Sequence, residues 1–113
     1  MRFEDLEVWR RAARLCAEIY KSLADLRDFG FRDQITRSAL SVPSNIAEGM
    51  ERRSVKDKQR FLDIALGSCA ELRTQLYIGI DIGYISADTG KVWINETREL
   101  SAMLVGLRNK QSS

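Results

Sequence analysis

Glu48 and Glu71 are the carboxylates of this chain best suited to act together, with Asn45 one helical turn before the first of them. Facing glutamates on bundle helices can hold di-iron centres, but those centres also draw on a Glu-x-x-His pattern. This chain has no histidine. It therefore lacks the commonest general base and the commonest metal ligand. Two cysteines without a histidine do not make a zinc site either. Cys16 and Cys69 fall within helical patterns and read as reduced core residues. The expectation is a protein that is not an enzyme and carries no metal or cofactor.

The same residues have a structural reading, which we favour. Gln34, Arg37, Ser41, Asn45 and Glu48 recur at steps of three and four, a polar stripe beside an apolar one on a helix. Ser68, Glu71 and Gln75 offer a matching set further on. Together they read as a hydrogen-bond network between two helices. Leaving one member of such a network unpaired costs about 1–3 kcal/mol, which helps enforce a single register.

A second chemistry is phosphate binding. Arg52, Arg53, Lys56, Lys58 and Arg60 form the densest basic cluster, and Arg10, Arg11 and Arg14 form a second strip. Such groups can contact nucleic-acid backbone, with binding that weakens steeply in salt. The net charge of +2 neither demands nor excludes that partner. No row of exposed aromatics suggests base stacking, so backbone contact with RNA or DNA is the form expected.

The elements that position these residues are all helical. Leu6, Trp9, Ala13, Cys16, Tyr20 and Leu23 predict a helix over about 5–26, with Asp28-Phe29-Gly30 as the break. Ile35, Ala39, Val42 and Ile46 predict a second over about 31–48, kinked or broken near Pro43 and stopped at Gly49. Ser54 opens a third over about 55–82, with Phe61, Ala65, Ser68, Leu72, Leu76 and Gly79 inward and Gly83 as its end. Ser86 or Asp88 caps a fourth over about 88–108, with Val92, Trp93, Leu100, Met103, Leu104 and Leu107 inward. Asn109 to Ser113 read as a frayed tail. Short connections make neighbours antiparallel, so the fold class is all-α, an up-and-down four-helix bundle in a single domain, 1–113. Tyr77, Ile78, Ile80 and Ile82 spread apolar groups over more than one face of the third helix, which predicts burial against other subunits. Trp9 and Trp93 are expected in the core, with anchoring of a subunit interface as the alternative.

Several landmarks carry a family resemblance: Phe3-Glu4-Asp5-Leu6-Glu7-Val8-Trp9, Gln34 and Arg37 before Ser41-Val42-Pro43-Ser44-Asn45-Ile46-Ala47-Glu48-Gly49, Phe61 to Ser68, Glu71-Leu72 and Gly83-Tyr84. With these, nearly the whole chain resembles the 23S rRNA intervening-sequence protein family of bacterial four-helix bundles. The family is related to the accessory protein of diversity-generating retroelements, a barrel-like pentamer that partners a reverse transcriptase and nucleic acid. The resemblance implies a ring-like homo-oligomer, expected to be a homopentamer, with RNA or DNA or a reverse transcriptase-like protein as partner. Ser38 stands where the family often has a second basic residue after Arg37, which thins the basic surface of the second helix.

The functional expectation is a non-enzymatic, oligomeric binding or scaffold protein that contacts RNA or DNA through its basic strips. The alternative is a protein-binding accessory module, of retroelement or toxin–antitoxin type, without nucleic-acid contact. No apolar run approaches the ~20 residues of a membrane span and no signal-peptide pattern opens the chain, so a cytoplasmic location is expected.

Overall fold

The structure, a computed structural model, describes residues 2–111. A 3-10 turn, Phe3–Asp5, leads into four helices: α1 (Glu7–Ser22), α2 (Phe29–Met50), α3 (Val55–Asp81) and α4 (Ala87–Lys110). There is no strand among the described residues. The helices form a rod of 46 × 21 × 20 Å in which each packs on its two neighbours, α2 with α3 most extensively and α1 with α4 least.

Helix ends follow local chemistry. Asp28, Ser54 and Ser86 accept the backbone N–H of Phe31, Asp57 and Thr89 at 3.1, 3.0 and 3.2 Å, filling donors that the first turns cannot pair internally. The far end of α3 closes with Gly83 at φ 82°, the N–H of Tyr84 donating to Gly79 and that of Gly83 to Ile80. Because Asp28 is a cap, α2 begins at Phe29 and runs through Gly30, where the sequence suggests a break. At its other end α2 passes through Gly49 and stops at Met50. Gly49 serves close approach: a Cβ there would lie 3.0 Å from the Phe61 Cβ and 3.3 Å from the Lys58 carbonyl. Helix α2 is also unbroken at Pro43, whose buried ring faces α1. Helix α1 ends four residues earlier than its apolar pattern suggests, in a turn at 23–25. Asn109 and Lys110 belong to the last turn of α4 and not to a frayed tail, while Ser112 and Ser113 lie outside the described residues.

The core is built from Ile35, Ala39, Val42 and Ile46 of α2 and Leu62, Ala65, Cys69, Leu72 and Leu76 of α3. Val8, Ala12, Leu15, Cys16 and Ile19 of α1 and Trp93, Ile94, Leu100 and Leu104 of α4 complete it. Two apolar stripes run side by side along α1, and the inward one is Val8–Ala12–Leu15–Ile19. Trp9 and Ala13 are only half-buried, and Tyr20 is exposed. On α4 the phase differs similarly: Ile94 and Thr97 point inward, and Val92 is 66% exposed. No helix among the described residues is long and apolar enough to cross a membrane.

Candidate nucleic-acid interface

The α2–α3 connection gathers the basic cluster at one end of the rod. Because Gly49 lets the last turn of α2 close on the first turns of α3, Phe61 sits half-buried at their junction. The guanidinium carbons of Arg52 and Arg60 lie 4.8 and 4.6 Å from the centroid of its ring. Contacts of this kind are worth about 0.5–1 kcal/mol each at exposed sites, enough to bias where the two cations point. Their ion pairs are loose, Arg52 with Glu48 at 3.6 Å and Arg60 with Asp57 at 3.8 Å, and such exposed pairs contribute little. Arg53 and Lys56 are exposed and form no ion pair among the described residues. Lys58 is committed elsewhere: its ammonium donates to the Met50 carbonyl at 3.1 Å and closes the end of α2.

The last turn of α4 adds charge that the sequence reading missed. Arg108 donates to Asp63 at 2.6 Å, and Gln59 donates to the carbonyls of Arg108 and Gln111 at 3.4 and 3.1 Å. The hydrogen bond to Asp63, helped by that charge, holds Arg108 still more firmly protonated. Lys56, Arg60 and Arg108 thus rim a shallow cleft of about 520 Å³, floored by Gln59 and Ile64. The signal available beforehand was Arg108 itself, at the end of the fourth helical pattern; its approach to Asp63, 45 positions away, arises only in the folded bundle.

The second strip does not hold together. Arg10 turns back to the carbonyls of Glu4 and Asp5 at 3.4 and 3.2 Å, and Arg14 is exposed. Arg11 is clamped between helices: it donates to Glu96 at 2.9 Å and to Glu99 at 2.6 Å, with Glu7 3.7 Å away. Donating hydrogen bonds to Glu96 and then to Glu99 pushes the Arg11 pKa far up, and the Arg11 hydrogen bond holds the Glu99 carboxyl below its ordinary value. Three carboxylates neutralise Arg11, so α1 presents no continuous basic face.

The polar stripe resolves into a smaller network than its spacing suggests. Ser41 and Ser68 share a hydrogen bond of 2.8 Å, and Asn45 donates to the Ser41 hydroxyl at 2.9 Å and to the Ser41 carbonyl at 2.8 Å. Gln34 and Arg37 are exposed and outside it, with no side-chain hydrogen bond among the described residues. Glu48 points toward Arg52, and Glu71 is exposed. No three carboxylates or thiols converge into a metal-binding group among the described residues. Both thiols are buried and their pKa values raised by that burial, which disfavours the thiolate. The more extensive network lies between α3 and α4: Arg73 donates to the hydroxyl and carbonyl of Thr97 at 2.9 and 3.2 Å and to Ser101 at 2.8 Å. Its residues stand 24 and 28 positions apart, and no local pattern announces it.

The sequence profile of a family described as the 23S rRNA-intervening sequence protein matches residues 4–106. Among solved structures, the fold is similar to a crystal structure from Bacteroides thetaiotaomicron, described as a protein of unknown function from the S23 ribosomal protein family. The two share 27% identity and superpose with a TM-score of 0.83 over 89% of this chain and 97% of the other. No functionally curated protein matches the chain.

Proposed function

The chain belongs to the 23S rRNA-intervening sequence protein family, and from that premise we propose a non-enzymatic, homo-oligomeric scaffold that holds the backbone of RNA or DNA at its basic end. The observation that carries this reading is the cation set of the α2–α3 connection. Arg52 and Arg60 are oriented on one aromatic ring, Arg53 and Lys56 stand beside them without an ion pair among the described residues, and Arg108 lies across the cleft. Guanidinium and ammonium groups so exposed suit phosphate oxygens, and nothing around them reads base edges, so recognition is of backbone and shape. Repetition of the same end around a ring-like assembly of five would multiply a weak single contact into useful avidity. Assembly itself is supported by apolar side chains left bare on the single chain, among them Tyr77, Ile78 and Ile82 of α3.

A mobility shift with single-stranded RNA, single-stranded DNA and duplex, run over several salt concentrations on the assembled protein, tests the reading. A shift that fades as salt rises is expected. No shift at low salt, with the assembly intact, rejects nucleic-acid contact and leaves the protein-binding accessory role, which a pull-down then addresses.

A further inference from the structure

We infer that a strand held at the basic end runs on along the outer α3–α4 groove, where Arg73, Tyr77 and Arg98 form a second site for backbone phosphate. This path rests on the proposed phosphate grip of the basic end and says where the strand goes from there.

Arg73 is half-buried between the two helices and fixed in place. Its Nε and Nη2 donate to the Thr97 hydroxyl, the Thr97 carbonyl and the Ser101 hydroxyl. One turn further along α3, the Tyr77 hydroxyl accepts a hydrogen bond of 2.7 Å from Arg98 of α4. These bonds are successive rungs of one antiparallel pair, so two guanidinium groups share a short stretch of groove. The other arginines that bridge α4 to a neighbouring helix, Arg11 and Arg108, meet carboxylates. Arg73 and Arg98 form no ion pair among the described residues. The acids closest in sequence face elsewhere: Glu96 and Glu99 turn to Arg11, and Glu71 stands about 200° round α3 from Arg73. Asp81 lies a turn beyond Tyr77, at the end of α3 away from the basic cleft.

The hydrogen-bonding capacity left over is that of donors. A guanidinium carries five N–H groups, and the Arg73 bonds use only Nε and Nη2, which leaves both N–H groups of Nη1. The Tyr77 hydroxyl accepts from Arg98 and keeps its own O–H to give. Two cations held by neutral partners, with N–H and O–H groups to spare, suit the oxygens of a phosphate.

The way from the basic end is free of acids. Gln59 and Asp63 of α3 meet Arg108 of α4 across the same groove, and Arg108 neutralises Asp63. Beyond them, neither 64–70 on α3 nor 100–107 on α4 contains Asp or Glu. From Asp63 to Arg73 is about 15 Å at 1.5 Å per residue, within reach of a few nucleotides of extended strand. Ile78 and Ile82 lie about 100° and 140° round α3 from Tyr77, so the path leaves those bare apolar groups open for assembly.

The test is the salt dependence of binding to a fluorescent single strand of about 12 nucleotides, within the range a single-strand groove holds. The strand is tried as RNA and as DNA, without terminal phosphates, so that internal diesters are what is read. Every protein is checked for equal helicity and subunit number. Arg98→Ala, at an exposed position, should flatten the slope of log K against log salt by about 0.7, and Arg73→Gln with Arg98→Ala by about 1.4. Arg98→Lys keeps the charge and should keep the wild-type slope. A merely structural role for the two arginines would leave the slope unmoved. If replacing Arg52, Arg53, Lys56 and Arg60 by Ala flattens the slope while the Arg73 and Arg98 variants bind as wild type does, the α3–α4 path is overturned and the basic end stands. No binding by wild type at low salt overturns both.

Discussion

Removing the Ser68 hydroxyl tests whether the polar residues between α2 and α3 serve structure or chemistry. Ser68 is 8% exposed, and its hydroxyl shares one bond of 2.8 Å with Ser41. Ser68→Ala deletes that bond, whose net worth is about 0.5–1.5 kcal/mol. Ser41 keeps its partner Asn45 and can turn its own proton to a carbonyl one turn back, so the loss stays near about 1 kcal/mol. Asn45→Ala deletes two bonds, of 2.8 and 2.9 Å, and is expected to cost about 1–3 kcal/mol. Glu48 and Glu71 lie at the surface outside this cluster, so Glu48→Gln and Glu71→Gln should stay within about 0.5 kcal/mol. The assay is urea unfolding at a concentration where every variant has the same subunit number, with a double-mutant cycle of Ser41→Ala and Ser68→Ala. The cycle should return a coupling of about 0.5–1.5 kcal/mol at unchanged m-value. Zero coupling, or a larger loss from Glu71→Gln than from Asn45→Ala, refutes the structural reading.

Arg11→Met should lower the melting temperature by parting α1 from Glu96 and Glu99, and leave nucleic-acid affinity unchanged in the same preparation. Acid unfolding should draw on Glu99 and on Asp28, whose carboxyl is held low by the Phe31 N–H and then by Tyr84. Their folded pKa values lie below the unfolded ones, so this stability is complete above about pH 5 and fades as pH falls through the folded values; Glu99→Gln should flatten the acid limb of a pH melt. Gly49→Ala should destabilise by about 1–3 kcal/mol despite better helix propensity, because its methyl meets Phe61 and the Lys58 carbonyl. Gly106→Ala, with nothing within 4 Å of the new Cβ, should instead stabilise by about 0.5–1 kcal/mol in a thermal melt.

Four helices were legible because Ile35–Ala39–Val42–Ile46 and Leu72–Leu76–Gly79 each trace one face and polar caps precede three of the helices. Which face of α1 turns inward was not. Val8–Ala12–Leu15–Ile19 and Trp9–Ala13–Cys16–Tyr20 are both apolar at helical spacing, and periodicity cannot rank them. The larger aromatics drew the sequence reading to the outer stripe, whose Trp9, Ala13 and Cys16 line a cleft against α2. Glycine misled in the same way at Gly30 and Gly49, where it stands inside α2 and, at Gly49, makes room for α3. The basic cluster at the α2–α3 connection was legible as a run of charge. Which of its members are free was not, since Lys58 is held by a carbonyl eight residues back. Arg11 looked like a free cation because Glu96 and Glu99 are 85 and 88 positions away, a pairing only the folded bundle creates.

The most direct measurement for the proposed role is the salt dependence of nucleic-acid binding for wild type against the quadruple variant Arg52→Ala, Arg53→Ala, Lys56→Ala, Arg60→Ala, both confirmed at equal subunit number. Each phosphate contact contributes about 0.7–0.9 to the slope of log K against log salt, so loss of four contacts per bound site should flatten it by about three units. An unchanged slope and affinity in the quadruple variant, or no binding by assembled wild type at low salt, contradicts a basic end that grips phosphate.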